Sequence, residues 1–405
     1  MPVSRRALLG STLAASSLPL TRSRAQAPKI TIGVLNDQSG AYRDLSGPVS
    51  VVCARQAIEE FGDKGFTVDL VSADHQNKPD IATSLAREWF DKGVDLLIDV
   101  PTSSVGLAVQ SVARDKNKVY INTGAATSAL TGEQCSPNFV HWVYDTYMLS
   151  KSTGGAMVKA GGDTWFFITA NYAFGHQLQS DTTAMIQGAG GKVLGSVLYP
   201  FPDTTDFSSL LVRAQASGAK VLGLASAGAD TINQVKQANE FGLTTKMKVA
   251  TLLMFISDVH ALGLDVAKDL VLSESFYWDL NDRTRAFTKR VLPKIKGSYP
   301  GMNQAGVYSG SLHYLKTAAA MGAAAAKADG RATVARMKAM EVDDDCFGKT
   351  RIREDGRHLV DAYLFQVKQP SESKGPWDYY KLLATTPADQ AFRPLADGHC
   401  AFVKA

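Results

Sequence analysis

Short apolar runs alternate with amphipathic segments along the first third of the chain. Apolar runs of four to eight residues are typical of buried strands, and the longer segments between them have helical spacing. The predicted elements are strand 30–35, helix 48–61, strand 66–73, helix 79–92, strand 95–100, helix 104–115 and strand 119–122. Such alternation predicts βαβ units and therefore a parallel sheet.

A second series of the same kind follows. It consists of helix 148–160, strand 164–169, helix 175–188, strand 192–199, helix 207–217, strand 221–224, helix 230–241 and strand 249–253. The repeated order predicts an α/β protein with two doubly wound, Rossmann-like lobes that face each other. Ligands of such sheets bind in the crevice at the carboxyl ends of the strands.

The last third of the chain has a different pattern. A strand is predicted at 269–278, followed by alanine-rich helices at 307–327 and 331–340, since alanine is the strongest helix former. Asp355-Gly356 is a tight-turn signal, and we expect it to join Ile352 to a strand at 362–367 as a hairpin.

The first 27 residues have the pattern of an export signal. Arg5-Arg6 precedes a modestly apolar run at 7–20 that is too short to cross a bilayer, and Ala25 and Ala27 are small residues that suit a signal peptidase. The paired arginines favour the twin-arginine route, cleavage after Ala27 and a periplasmic mature protein. An ordinary N-terminal helix or a membrane anchor is the alternative.

Charge and composition narrow the possible functions. The chain has 43 basic and 39 acidic residues, and four of the basic ones lie in the predicted signal, so the mature chain would be neutral. With no stripe of lysine and arginine among aromatic residues, nucleic-acid binding is not expected. After the signal, no apolar run approaches the roughly 20 residues of a membrane helix.

Cysteine and histidine spacing gives no sign of an enzyme. The four cysteines lack metal-ligand spacing, and in an oxidising compartment one disulfide is expected, with Cys135 and Cys400 as the chosen pair. The seven histidines form no HExxH pair and accompany no nucleophile elbow, and no phosphate-binding glycine motif follows a strand. We therefore expect neither catalysis nor a cofactor or metal.

Four short segments resemble one family, and they occur in its order. They are Ile32-Gly33-Val34-Leu35-Asn36-Asp37-Gln38-Ser39-Gly40, Pro101-Thr102-Ser103-Ser104, Ile121-Asn122-Thr123-Gly124-Ala125-Ala126-Thr127 and Asn171-Tyr172-Ala173-Phe174-Gly175. The chain resembles the type I periplasmic binding proteins of branched-chain amino-acid importers over nearly its whole mature length. The resemblance implies a three-crossover hinge, with lobe one formed by 28–145 plus 280–340 and lobe two by 146–279 plus 341–405. It also implies a monomer that presents a small ligand to the permease subunits of an ABC importer.

The resemblance implies ligand contacts on loops that follow strands. In lobe one the matching positions are Ser103, Ser104, Ala125, Ala126 and Thr127. Hydroxyl and backbone N–H groups at a positive helix terminus suit a carboxylate. For Ser103 or Ser104, a plain N-cap is the alternative role.

Lobe two contributes Tyr172, which would cover the ligand and whose alternative role is core packing, and Ser226 after strand 221–224. The sequence departs from the amino-acid binders of the family at 251–256. These binders carry an acidic residue there, whereas this chain has Met254 and Phe255 in an apolar run. An unpaired buried ammonium costs several kcal/mol, so an ordinary amino acid is disfavoured.

Other aromatic residues lie near expected cleft or hinge positions, namely Tyr42, Tyr144, Tyr277, Trp278 and Tyr308. Together they resemble the subset of the family that takes up aromatic carboxylates, where stacking adds affinity. The predicted ligand is therefore a small organic acid, most simply an aromatic carboxylate. Amino-acid or amide binding by the same fold and a periplasmic sensor remain alternatives, and an exported hydrolase is disfavoured.

Overall fold

The computed structural model describes residues 28–403. The predicted export signal and its cleavage site at Ala27 lie outside the described residues. Within the described part, no helix is both long and apolar enough to cross a membrane.

The first lobe is built on a parallel sheet of five strands in the order β2-β1-β3-β4-β5. The central strands are buried because helices cover both faces, as their continuous apolar runs require. The strands are β1 (Lys29–Asn36), β2 (Thr67–Asp74), β3 (Leu96–Asp99), β4 (Val119–Asn122) and β5 (Phe139–His141). The intervening helices are α1 (Gly47–Phe61), α2 (Pro79–Asp91) and α3 (Ser103–Asp115).

The second lobe repeats this plan with four parallel strands in the order β7-β6-β8-β9. The strands are β6 (Thr164–Ala170), β7 (Lys192–Tyr199), β8 (Val221–Ala225) and β9 (Lys248–Thr251). The helices are α4 (Thr146–Leu149), α5 (Gly155–Lys159), α6 (Ala173–Gly188), α7 (Ser208–Ala216), α8 (Ala229–Glu240), α9 (Ile256–Leu262) and α10 (Leu264–Ala267). The two wound halves predicted from the sequence are thus confirmed.

The last third of the described chain is shared between the lobes. Its helices are α11 (Asp282–Val291), α12 (Met302–Met321), α13 (Ala323–Ala328), α14 (Gly330–Lys338) and α15 (Ala388–Ala391). Its strands are β10 (Val271–Glu274), β11 (Val342–Asp344), β12 (Gly348–Ile352), β13 (His358–Leu359), β14 (Ala362–Val367) and β15 (Tyr380–Thr386). They form two antiparallel sheets, β10-β14-β15 and β11-β12-β13.

Two details in this region differ from the sequence prediction. The helix predicted at 307–327 is divided at Gly322, which has a φ of 83° that glycine adopts without steric cost. The predicted hairpin partner is wrong. The Asp355-Gly356 turn joins β12 to β13, whereas β14 pairs with β10 and β15.

The predicted boundaries assign residues 341–405 as a whole to lobe two, whereas the structure divides this region between the two lobes. Strands β11 to β13 lie beside the first lobe, where the His141 N–H donates to the carbonyl of Gly356 at 2.9 Å. The tail returns there as well, because Cys135 and Cys400 form the predicted disulfide. By contrast, the hydroxyl of Thr251 on β9 donates to the carbonyl of Val271, which attaches the β10-β14-β15 sheet to the second lobe.

Buried Arg357 accounts for the position of β13. Its side chain is 0% exposed, donates to the carbonyl of Val143 at 2.6 Å and lies 3.6 Å from the Asp145 carboxylate. A guanidinium can be buried only with such partners. Because Val143 and Asp145 belong to the first crossover, this segment is fixed to the hinge.

Candidate functional site

The carboxyl ends of the two parallel sheets meet at a small apolar cavity between the lobes. It is lined by Tyr42, Leu45, Pro101, Gly124, Ala126, Tyr144, Tyr172, Phe174, Ala227 and Leu253. None of these residues is acidic or basic, so within residues 28–403 the cavity wall is uncharged. The cavity measures about 10 Å³, which is room for about one water molecule.

Two tyrosines close the cavity, one from each lobe. The hydroxyls of Tyr42 and Tyr172 are hydrogen-bonded at 2.5 Å. Phe201 stacks on both rings, with centroid distances of 5.1 Å to Tyr42 and 4.6 Å to Tyr172. Burial raises the pKa of both phenols above the ordinary value of 10.0. Both hydroxyls are therefore neutral and can donate or accept a hydrogen bond.

The loop after β1 holds Tyr42 through a buried carboxylate. Asp37 accepts hydrogen bonds from the backbone N–H of Gly40 at 2.7 Å and of Tyr42 at 2.8 Å, and from Asn77 Nδ2 at 2.6 Å. This Asx-type turn reverses the chain directly after the strand. The aromatic ring of Tyr42 is thereby directed across the cleft.

A second buried carboxylate, that of Asp99, ties together the other loops of lobe one. Oδ2 accepts from Asn36 Nδ2 at 2.9 Å and Ser46 Oγ at 2.8 Å, while Oδ1 accepts from Thr123 Oγ1 at 3.1 Å and Asn303 Nδ2 at 3.0 Å. Asp99 has a φ of 89°, a strained conformation for a residue other than glycine. Burial raises its pKa, against the opposing effect of these hydrogen bonds.

Three helices begin beside the cavity without a side-chain cap. Helix α3 begins two residues after Pro101, α6 directly after Tyr172, and α8 two residues after Ala227. The first N–H groups of a helix lack intrahelical acceptors, and the helix dipole makes this end positive. Helices α3 and α6 have no acidic residue in the first turn and so favour an anion at the cavity rim, whereas α8 carries Asp230 there.

The structure brings four of the predicted site residues together at the cavity, namely Tyr42, Ala126, Tyr144 and Tyr172. The Tyr144 hydroxyl donates to the carbonyl of Gly124 at 2.7 Å. Phe255 lies one layer further back, with its ring 5.7 Å from that of Tyr144 in an edge-to-face contact.

Other predicted positions in lobe one support the loops or face elsewhere. The hydroxyl of Ser103 accepts the Thr127 N–H at 3.1 Å and so links the loops after β3 and β4. Ala125 is fully buried behind the cavity. Ser104 and Thr127 line a separate open groove between α3 and α6, together with His176.

The two remaining predicted residues, Ser226 and Trp278, also lie away from the cavity. Ser226 bonds within lobe two, to Thr231 Oγ1 and Gln234 Oε1, both at 2.8 Å. Trp278 donates to the carbonyl of Trp377 at 2.8 Å, and its ring packs on Tyr299 at 5.1 Å. Trp278 thus belongs to an aromatic cluster outside the cleft.

Sequence reasoning missed six lining residues and the stacking ring of Phe201. The missed lining residues are Leu45, Pro101, Gly124, Phe174, Ala227 and Leu253. Four of them, Pro101, Gly124, Ala227 and Leu253, lie at the end of a predicted strand or within three residues of it, which was the available signal. Leu253 lies in the 251–256 segment, which has no acidic residue, and it provides an apolar part of the cavity wall.

Comparison with known proteins agrees with this architecture. Residues 29–376 match the model of a family described as periplasmic binding protein, and the chain belongs to that family. A periplasmic binding protein from Burkholderia mallei is 47% identical, with a TM-score of 0.89, covering 93% of this chain and 100% of its own.

Two further solved structures show the range of relatives. A branched-chain amino-acid ABC transporter periplasmic ligand-binding protein from Burkholderia xenovorans LB400 is 39% identical, with a TM-score of 0.80, covering 92% of this chain and 99% of its own. A solute-binding protein of an ABC transporter from R. palustris, in complex with benzoate, is 20% identical, with a TM-score of 0.79 and coverage of 92% and 99%. The protein is thus a periplasmic binding protein of the ABC-transporter class, as its sequence resemblance implied.

Proposed function

We propose that the cleft binds a small monocarboxylate with an aromatic or other apolar body and presents it to the permease subunits of an ABC importer. The observation that carries this proposal is the uncharged, tyrosine-rich cavity wall beside uncapped helix N-termini. Export by the twin-arginine route, cleavage after Ala27 and action as a monomer complete the proposal.

The carboxylate is proposed to bind at lobe one. Helix α3 offers N–H groups there that no side chain caps, and a carboxylate receives both hydrogen bonds and a favourable dipole from such a terminus. Ser104 lies in the first turn of this helix and is only partly buried. Its side chain lines the separate groove between α3 and α6, so the backbone N–H groups of α3 are the donors proposed here.

The ligand body is proposed to lie between the tyrosines. Tyr42, Tyr144 and Tyr172 offer ring faces, and Leu253 and Phe174 complete an apolar enclosure. Stacked or edge-to-face aromatic contacts contribute about 0.5–1.5 kcal/mol beyond area burial. The R. palustris relative that holds benzoate shares this fold, which is compatible with an aromatic acid.

Binding must involve a hinge motion. The cavity of about 10 Å³ is far smaller than a ligand site, so Tyr42 and Tyr172 must separate before a solute can enter. Such domain closure around a ligand is a population shift toward the closed form. The closed form would then be the surface that the permease recognises.

A thermal-shift panel of amino acids, aliphatic acids and aromatic carboxylates tests the proposal, because ligand binding to the native state raises the melting temperature. We expect stabilisation by aromatic carboxylates, lost in Tyr172→Ala and retained in Tyr363→Ala, a half-buried tyrosine outside the cavity. Stabilisation by leucine or valine alone would refute the proposed ligand class.

A further inference from the structure

One buried acid lies close behind the tyrosine layer of the cleft. Asp230 is in the first turn of α8, three residues after Ala227 of the cavity wall, and is 3% exposed. Its Oδ2 accepts a hydrogen bond from the Tyr199 hydroxyl at 2.8 Å. The sequence alone gave no reason to select Asp230, because an acid in the first turn of a helix is ordinary.

Backbone contacts connect Asp230 to both tyrosines that close the cavity. Tyr199 lies at the end of β7, where its carbonyl accepts the N–H of Asn171, the residue before Tyr172. On the other side, the N–H of Ala229 donates at 3.1 Å to the carbonyl of Ala41, the residue before Tyr42. Asp230 and Tyr199 therefore lie behind the two segments that carry Tyr172 and Tyr42, the tyrosines that close the cavity.

The Asp230 carboxylate acts electrostatically on the phenols of Tyr42 and Tyr172, which face the ligand site. Burial is the main cause of the raised pKa of Tyr42 and Tyr172, and the Asp230 carboxylate raises both further. Burial also raises the pKa of Asp230 itself to about 7, while the hydrogen bond from Tyr199 opposes this shift. The carboxyl is thus ionised in mildly alkaline solution and protonated in mildly acidic solution.

We infer that Asp230 determines specificity by making the lobe-two wall reject a second negative charge, so that the cleft selects monocarboxylates whose far end is neutral or donates a hydrogen bond. This inference rests on the proposed function, in which the carboxylate binds at lobe one. A ligand carboxylate directed at lobe two would meet a like charge in a site of low dielectric, where repulsion is strong. A hydroxyl at the same position can instead donate toward Tyr172.

The test uses three ligands of equal ring size: benzoate, 4-hydroxybenzoate and benzene-1,4-dicarboxylate. Their dissociation constants are measured by calorimetry for the wild-type chain and for Asp230→Asn, at pH 6 and pH 8. At pH 8 we expect the wild type to bind the dicarboxylate at least tenfold more weakly than benzoate. Asp230→Asn should reduce that ratio to threefold or less, because asparagine keeps an acceptor for Tyr199 and lacks the charge.

The pH profile separates a charge effect from a structural one. Among the titratable groups that face Asp230, the phenols of Tyr42, Tyr172 and Tyr199 stay neutral between pH 6 and 8, since burial raises the pKa of each. For the wild type, the ratio of the dissociation constant of the dicarboxylate to that of benzoate should therefore be at least threefold smaller at pH 6, where Asp230 is protonated, than at pH 8. Burial also raises the pKa of Asp258 to about 7 and of Glu274 to about 8, and both acids act on Tyr144 of the cavity wall. If Asp230→Asn does not fold, Asp230→Ser, which also removes the charge, therefore takes its place in the comparison at both pH values.

Asp344→Asn is the matched control. Asp344 is a buried acid that accepts from Ser309, away from the cleft, and the exchange should leave the ligand ratios unchanged. If neither Asp230→Asn nor the change of pH alters the ratio of the dicarboxylate and benzoate dissociation constants, the role of Asp230 is overturned while the proposed function stays intact. Binding of none of the three ligands by the wild type would refute the proposed ligand class, and this inference with it.

Discussion

Replacement of Asp99 by asparagine is the sharpest test of how the lobe-one loops are held. The carboxylate accepts four hydrogen bonds, two at each oxygen, from side chains on four different segments. All four donors are buried with it. An asparagine in either amide orientation turns an NH₂ group toward two of these donors.

The expected loss of folding stability in Asp99→Asn follows from the hydrogen bonds that the asparagine cannot accept. On either side one donor is an amide N–H, which loses its partner, and the other is a hydroxyl, which can rotate to accept from the new NH₂ group. One lost hydrogen bond to a charged group costs about 1.5–3 kcal/mol. Part of this is offset because the variant no longer buries a charge, the same effect that raises the Asp99 pKa. We expect Asp99→Asn to lower the free energy of unfolding by about 2 kcal/mol, a value that combines the lost bond with the relief of the buried charge.

Urea unfolding of the wild type and the variant at pH 7.5 measures this difference. Asp69→Asn is the control, because the Asp69–Lys29 ion pair at 2.9 Å is more than half exposed and exposed pairs contribute about 0–1 kcal/mol. If Asp99→Asn cost no more than the control, the reasoning that Asp99 organises these loops would be refuted.

Four further perturbations have defined outcomes. Tyr172→Ala should weaken ligand binding tenfold or more in calorimetry with little change in the urea midpoint, as for an aromatic anchor, and unchanged affinity would contradict its role. Glu274 has a pKa raised by burial from 4.5 to about 8, so the folded state holds a proton that the unfolded chain releases, and stability should fall as pH rises from 6.5 to 8.5. Glu274→Gln should reduce that fall in urea unfolding, and an unaltered slope would exclude this group as its cause. Replacing Cys135 and Cys400 by serine opens a cross-link across 265 residues and should lower the free energy of unfolding by about 2–5 kcal/mol, whereas unchanged stability would show that the tail adds nothing. Gly228→Ala places a Cβ 2.5 Å from the Ala41 carbonyl of the other lobe, at a φ of 57°, so small-angle scattering should report a larger radius of gyration, and an unchanged radius would show that the lobes adjust to it.

The parallel sheets were predictable because each strand carries a local signal. Strand β8 is apolar for its whole length, and β1 is apolar from Ile32 to Leu35 before it ends at the turn that contains Asp37. Strand β5 has only three residues, and β15 exposes Leu382 and Leu383 without alternation, so neither has a strand pattern. Asp355-Gly356 predicted a turn but could not specify its partner strand, because pairing depends on distant segments.

The site residues that could be predicted from the sequence are those near the carboxyl ends of strands, because that position places them at the cleft. Tyr42, Tyr144 and Tyr172 were selected near strand ends or at the first crossover, and they line the cavity. Trp278 was selected at the third crossover on the same grounds, yet its ring packs near Trp377, which is 99 residues away in the chain. Such long-range partners, like those of Asp99, are determined by tertiary packing and leave no periodic pattern.

Calorimetric titration of the chain from Pro28 onward with benzoate and with leucine tests the central claim most directly. The cavity wall is uncharged and lies beside helix N-termini that no side chain caps, so we predict that benzoate binds. Leucine, whose ammonium would find no carboxylate in the cavity wall, should neither bind comparably nor compete. Tight binding of leucine with no heat from benzoate would contradict the claim and would indicate that a carboxylate outside the wall, such as Asp230, enters the site.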